Sequence, residues 1–252
     1  MVDALPPGSA GAGTLADPGL TVAMHMSDGL VNAPTAAVFG LVAAIGLAVS
    51  ASRARSDLDE RTAPMAGLVT AFVFAVQMIN FPILPGASGH LLGGALVAIL
   101  VGPWVGSLCI AIVLVVQALL FADGGLTALG TNITNMALVG TFTGYLVAVA
   151  MRRLAARSRA GLLTTAFVSA LVNTVVAALA FVGEYAIGGS GGASLGTVFT
   201  LMVGLHVLVG IGEGIITAAT VGAVAAVRPD LVYLLRGTRP AVTLRTPGEA
   251  AR

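Results

Sequence analysis

Residues 104–121 read WVGSLCIAIVLVVQALLF, an apolar run with no charge and a single amide, at Gln117. It is long enough to cross a bilayer as one helix. The composition makes lipid the solvent for the whole chain. Of its 252 residues, 57% are hydrophobic and 9% charged, with a mean hydropathy of +1.00. Soluble chains carry roughly 25% charged residues, so this chain cannot coat a water-exposed surface of its size. Abundant alanine and glycine suit membrane helices that approach closely.

Working outward from that run, further apolar spans are predicted over about 34–52, 64–79, 90–101, 131–151, 162–182 and 196–227. The segment Asn80 to Gly89 between the second and third spans is punctuated by Pro82 and Pro85, which lack an N–H and prevent regular helix. It is read as non-helical backbone dipping inward under protein cover. All positive residues are arginines, in three groups: Arg53, Arg55 and Arg61; Arg152, Arg153, Arg157 and Arg159; and Arg228, Arg236, Arg239, Arg245 and Arg252. Positive residues in short loops stay cytoplasmic, and an even number of predicted spans separates each group from the next. The fold class is therefore all-α: a polytopic protein of the cell membrane with about seven transmembrane helices, N-terminus outside and C-terminus cytoplasmic. Residues 1–23 lack a basic start and an apolar core and are not a secretory signal. They read as a disordered extension or a misassigned start, 24–228 as the transmembrane domain, and 229–252 as a loose, solvated cytoplasmic tail.

Several functions are excluded. No basic run supports a nucleic-acid partner. The single cysteine, Cys109, cannot form an internal disulfide and reads as packing. The chain has no lysine and no phosphate loop, so it does not hydrolyse ATP by itself. No His-Glu-x-x-His spacing supports a metallohydrolase.

The polar residues left inside apolar sequence are few, and such residues mark functional sites by default. Asp123 and Glu184 fall at the predicted outer ends of spans, where water solvates them, while Glu213 lies mid-span. The three histidines, His25, His90 and His206, gather toward the outer side. Imidazole suits nickel, copper and zinc, and a square of nitrogens selects nickel or copper. If Met24 carries a free amine, that amine, the amide nitrogen of His25 and its imidazole close fused chelate rings in one plane. His90 then supplies the fourth nitrogen. This reading requires translation to begin at Met24 or the chain to be cut before it, and it favours the alternative start.

Some of the remaining polar residues have two readings. Asn80, Asn132 and Asn135 either orient the histidines, as metal sites require, or bond loop backbone. His206 and Glu213, seven residues apart on one helical face, read as a hydrogen-bonded packing pair. Asp28 braces the N-terminal segment through backbone amides. Gln77 and Gln117 read as glue between helices. A ridge of small residues, Ala36, Gly40, Ala44 and Ala48, either packs within the subunit or meets a partner helix.

These blocks resemble a known family. Residues 24–29 (MHMSDG), 80–83 (NFPI), 85–94 (PGASGHLLGG), 123–130 (DGGLTALG) with Asn132 and Asn135, and 206–213 (HVLVGIGE) look like the signature of CbiM and NikM proteins. Those are substrate-binding membrane components of energy-coupling factor transporters for cobalt and nickel. The resemblance implies an ion held by the amine, amide and side chain of Met24 and His25 and by His90. Around it would stand Asp28, Asn80, Ser88, Asn132, Asn135, His206 and Glu213. It implies no resident cofactor, only transported Co2+ or Ni2+. The implied partners are a transmembrane coupling protein, two ATPase subunits and, in cobalt systems, a small CbiN-like membrane protein. The lack of a fused helper domain leans toward the cobalt system that feeds cobalamin synthesis. The rival expectation is a stand-alone secondary carrier with Glu213 and His206 as a proton relay; the repeated halves common in such carriers are not visible.

Overall fold

The computed structural model describes residues 25–60, 62–84 and 87–237, with backbone alone at 80–84, 87 and 88. Expectations for residues 1–23, for Met24 and for the end of the tail lie outside the described residues. Asn32 caps α1 (Ala33–Ala54), its Oδ1 accepting from the Thr35 N–H at 3.0 Å, with Pro34 in the first turn. Next come α2 (Thr62–Gln77), strands β1 (Asn80–Leu84) and β2 (Ala87–His90), and the eight-residue α3 (Gly94–Val101). After α4 (Pro103–Leu120), a continuous rod joins α5 (Leu129–Asn132), a π-wound stretch (Ile133–Gly140) and α6 (Thr141–Ala150). The short α7 (Arg152–Arg157) leads into α8 (Arg159–Gly188) and α9 (Leu195–Val227).

Among the described residues five helices are long and apolar enough to cross a membrane: α1, α4, the rod Leu129–Ala150, α8 and α9. Helix α2 is apolar but shorter. Helix α3 is too short to cross alone and is buried at every residue, packed among α4, α6, α8 and α9. Span three was expected from His90, but His90 to Gly93 remain non-helical because they belong to a hairpin and its exit. The segment predicted as non-helical is that antiparallel hairpin, with Asn80 opposite His90 and a bulge between Pro82 and Leu84. Helices are thus joined by one small sheet. The sheet brings the residue that ends β2 back over the end of α2.

The longest pair, α8 and α9, pack through small residues. A side chain at Gly210 would meet Leu171 Cδ1 at 2.9 Å, and one at Gly214 would meet Phe167 Cδ2 at 2.6 Å. Two glycines four apart thus admit bulky residues of the facing helix. Helix α8 also runs on to Gly188, six residues past the predicted end at Val182. Its buried face continues through Phe181, Glu184, Tyr185 and Gly188, spacings of three and four that a helix places on one side.

The arginine groups meet at one end of the bundle. Arg152 donates to the carbonyls of Leu234, at 3.0 Å, and of Arg236, and Arg236 donates to Thr62 Oγ1 at 2.8 Å. Arg53 lies over the Trp104 ring, 5.9 Å from its centroid. Residues 229–237, expected to be solvated, fold back here, with Val232, Leu234 and Leu235 buried. Their apolar side chains and the Arg152 clamp hold them on the bundle. Cys109 is buried against α2, with Sγ 3.8 Å from the Ala66 carbonyl.

Candidate metal centre

At the opposite end, His25 and His90 are in ring contact, with centroids 4.6 Å apart and planes tilted by 52°. Both are buried, at 5% and 4% exposure. Neither ring nitrogen of His25 has a hydrogen-bond partner among the described residues, although both are buried. His25 Nδ1 lies 3.5 Å from Asp123 Oδ1, within ion-pair range but longer than a directed bond. Buried polar groups are almost always paired, so an unbonded imidazole against a second imidazole marks a place built for another partner.

His90 is fixed by its own chain. Its Nδ1 lies 2.9 Å from the Leu91 carbonyl, which only accepts, so Nδ1 carries the proton and Nε2 the lone pair. The free Nε2 lone pair is what a metal ligand requires of an imidazole.

The two histidines reach each other because long-range bonds seat their segments. The N-terminal segment lies on the loop after α4, where Gly124 has φ of +84°, and a side chain there would meet His25 Cβ at 3.0 Å. Asp28 Oδ1 accepts from the Thr127 N–H at 2.7 Å and the Thr127 hydroxyl at 2.6 Å. Burial opposes the charge, but these bonds hold the Asp28 carboxyl below its usual value. The Asn132 side chain grips Met26 twice, accepting from its N–H at 2.9 Å and donating to its carbonyl at 3.0 Å. Farther on, the Ser190 N–H donates to the Leu30 carbonyl at 2.9 Å and the Asn32 N–H to the Gly188 carbonyl at 2.7 Å.

His90 is held by the turn that follows it. Glu213 accepts from the N–H groups of Leu92 at 2.8 Å and Gly93 at 3.0 Å, from Asn173 at 3.0 Å and from the Thr174 hydroxyl at 2.8 Å. Gln77 donates to the Leu92 carbonyl at 2.7 Å from the other side. Gly93, with φ of +80°, would bring a side chain to 2.8 Å from Val73 Cγ1. The tight exit from the hairpin therefore needs glycine.

The expected His206–Glu213 pair is not formed. Glu213 faces α3 and α8, while His206 Nδ1 bonds the Met202 carbonyl of its own helix at 2.7 Å. Seven residues carry the two side chains to different neighbours, each with a nearer partner than the other. Glu184 is also not solvated: it is buried at 2% exposure, and its Oε2 accepts from Asn135 Nδ2 at 2.6 Å. The six residues by which α8 outruns its predicted end carry it inside. Asp123, expected in water, instead stands beside His25. The side chains of Asn80 and Ser88 are outside the described residues. Sequence reasoning missed the part played by Asp123, though its place in the 123–130 block was a signal.

One cavity of about 40 Å³ is lined by His25, His90, His206, Asn132 and Asn135, with Leu92, Phe181 and methionine and alanine residues completing the wall. Among the described residues no three His, Cys, Asp or Glu side chains converge to hold an ion. Side chains alone thus leave the donor set short, and backbone nitrogens of the His25 segment are the available supplement. Residues 25–231 match the family model CbiM, a cobalt uptake substrate-specific transmembrane region.

The chain belongs to the CbiM family. A protein of Archaeoglobus fulgidus bearing the name of a fused nickel transport protein NikMN is 41% identical over 83% of this chain and 68% of its own length. The cobalt transport protein CbiM of Sorangium cellulosum is 32% identical over 86% of this chain and 97% of its own. A crystal structure of a transition metal transporter superposes with a TM-score of 0.72 at 29% identity, covering 85% of this chain and 100% of that one. This CbiM-family chain is a multi-pass membrane protein, as its run of apolar helices requires.

In this CbiM-family chain Asn132→Ala removes both bonds to Met26 while leaving the rod apolar. Loss of such an orienting group is expected to weaken nickel affinity about 10–100-fold. Titration of the purified protein checks this; affinity equal to wild type would make Asn132 a packing residue only.

Proposed function

We propose that this chain is the substrate-binding subunit of an ATP-driven importer of the energy-coupling factor type, carrying cobalt or nickel ions. Supply of cobalt for cobalamin synthesis is the role this reading favours. The observation that carries it is the buried His25 imidazole, unbonded at both nitrogens and in contact with His90. In a form of the protein that begins at Met24, the free amine of that residue and the His25 amide nitrogen would join these two rings in a set of four nitrogens. Asn132 and Asp28 hold the first segment for that purpose, and Glu213 and Gln77 hold the second. Counting α2 and the hairpin with α3 as crossings gives seven spans, with the histidine end outside and the arginine end cytoplasmic.

The partners are a coupling membrane protein, two ATPase subunits and a small CbiN-like protein. Relatives named as fused NikMN and LarMN proteins support the last of these. A solitary carrier with Glu213 as proton relay is disfavoured, because both Glu213 oxygens are engaged by four donors. Metal uptake by cells expressing this chain with its coupling and ATPase subunits tests the reading. Uptake is expected to vanish when the ATPase nucleotide site is disabled; uptake that persists would favour the solitary carrier.

Of the ridge on α1, Ala36 packs inside the subunit and Gly40 is half-buried, while the half toward the arginine end is open to such a partner. Ala44 and Ala48 are exposed, as are Leu41 at 63% and Ile45 at 56% beside them. Gly40 approaches the Gly130 backbone, yet space is open where its own side chain would stand. Gly40→Leu with Ala44→Leu is expected to abolish co-purification of the coupling protein while leaving nickel affinity intact. Unchanged co-purification would assign the ridge to lipid.

A further inference from the structure

The arginine end of the bundle holds a cavity of its own. A hollow of about 220 Å³ opens between α7, the start of α8 and the end of α9, with Leu235 of the folded-back tail as a further wall. Its floor is buried and apolar, made by Ala155, Leu162, Gly222 and Leu235. Arg157 and Arg159 line it from exposed positions on either side of Ser158. No carboxylate lines the cavity, and neither arginine has an acidic partner among the described residues. Other groups at this end are already taken. Arg152 clamps the carbonyls of Leu234 and Arg236, and Arg228 pairs with Asp230 at 2.8 Å. Ser158 Oγ accepts from the Gly161 N–H at 3.0 Å. Membrane orientation calls for arginines at this end, but it does not call for a cavity beside them. Two guanidinium groups over an apolar floor are left without a counter-charge.

We propose that this cavity seats the phosphate headgroup of an anionic phospholipid from the leaflet at the arginine end. Guanidinium groups grip phosphate oxygens through paired N–H donors, and basic pockets between membrane helices take anionic headgroups. The level in the bilayer fits. Helix α8 turns apolar from Gly161 onward and α9 stays apolar to Val227, so the two arginines stand where hydrocarbon gives way to water. The surroundings also favour an amphiphile. Ala156 and Ala226 line the cavity from exposed positions, and Val227 next to Ala226 is 79% exposed. An acyl chain leaving the cavity therefore meets apolar surface. A free phosphate would satisfy the arginines and leave the apolar wall uncovered, whereas a phospholipid answers both. The site lies at the far end from the histidines and does not depend on the metal reading.

The test uses the full-length protein, delipidated in detergent and titrated with phosphatidylglycerol, phosphatidylcholine or inorganic phosphate, with bound species read by native mass spectrometry. Wild type is compared with Arg157→Gln/Arg159→Gln and with Ala226→Phe, which fills the mouth and keeps both charges. Each arginine near a membrane surface is worth about fivefold in affinity for anionic lipid, so the double variant is expected to bind phosphatidylglycerol roughly twentyfold more weakly. Ala226→Phe should weaken it as well, since a built site needs its volume and diffuse attraction to charge does not. Phosphatidylcholine should bind weakly and alike in all three forms. An unchanged elution volume and thermal midpoint show that each variant is folded. Affinity for phosphatidylglycerol unchanged in either variant would overturn the proposal. Tight binding of inorganic phosphate with no preference for the lipid would overturn it too, leaving a free anion as the occupant.

Discussion

Replacing Glu213 with alanine is expected to abolish metal binding without touching a ligand. The carboxylate receives two backbone N–H groups from the turn after His90 and two side-chain donors from α8. Each buried donor left unpaired costs about 1–3 kcal/mol, and four lose their partner together. The substitution should therefore lower the thermal midpoint markedly and free the turn that aims His90. Glu213→Gln separates the two effects. It keeps the volume but offers an NH2 group where only acceptors fit, so it should weaken nickel affinity strongly while the helices stay folded. Thermal unfolding read beside nickel titration checks this. Wild-type affinity in Glu213→Gln would show that the turn is held by Gln77 and packing alone.

His90→Ala is the second large effect, and its cause is local. The substitution removes one of the two contacting imidazoles and leaves an apolar gap beside His25. Each nitrogen lost from a four-nitrogen set costs more than the loss of a group behind a ligand, which is about 10–100-fold. Nickel affinity is therefore expected to fall by more than that range. The fold should survive, because β2 and the Glu213 clamp bind His90's neighbours through backbone. The protein should run as the same species in size-exclusion chromatography with a near-normal thermal midpoint. Affinity within a few-fold of wild type would remove His90 from the ligand set.

Much of the fold was legible because the bilayer imposes it. Apolar runs bounded by arginine and proline gave α1, α2, α4, α8 and α9 to within a few residues at most ends, since each helix must satisfy its own backbone in lipid. Prolines 82 and 85 marked the non-helical segment, but not that it closes as a hairpin with Asn80 opposite His90. Strand pairing depends on which backbone groups meet, and the sequence there offers no alternating pattern. The end of α8 was misplaced for a related reason. Glu184 looks like a loop residue until Asn135, 49 positions away, supplies its partner.

The candidate site divides in the same way. His25 and His90 stood out as rare imidazoles in apolar sequence. The bonds that seat them did not, because Asn132 reaches Met26 across 106 positions and Glu213 reaches Leu92 across 121. His206 and Glu213 share a helical face by spacing, yet His206 bonds a carbonyl of its own helix while Glu213 is taken by α8 and the turn before α3. Such choices are made by packing between helices. Spacing along one helix does not contain them.

The most direct measurement compares nickel affinity of two purified forms, one beginning at Met24 and one retaining residues 1–23, with the N-terminus of each fixed by intact mass spectrometry. If the ion is gripped by a terminal amine next to His25, the short form should bind tightly and the long form far more weakly. Equal, tight binding by both would contradict the planar nitrogen site.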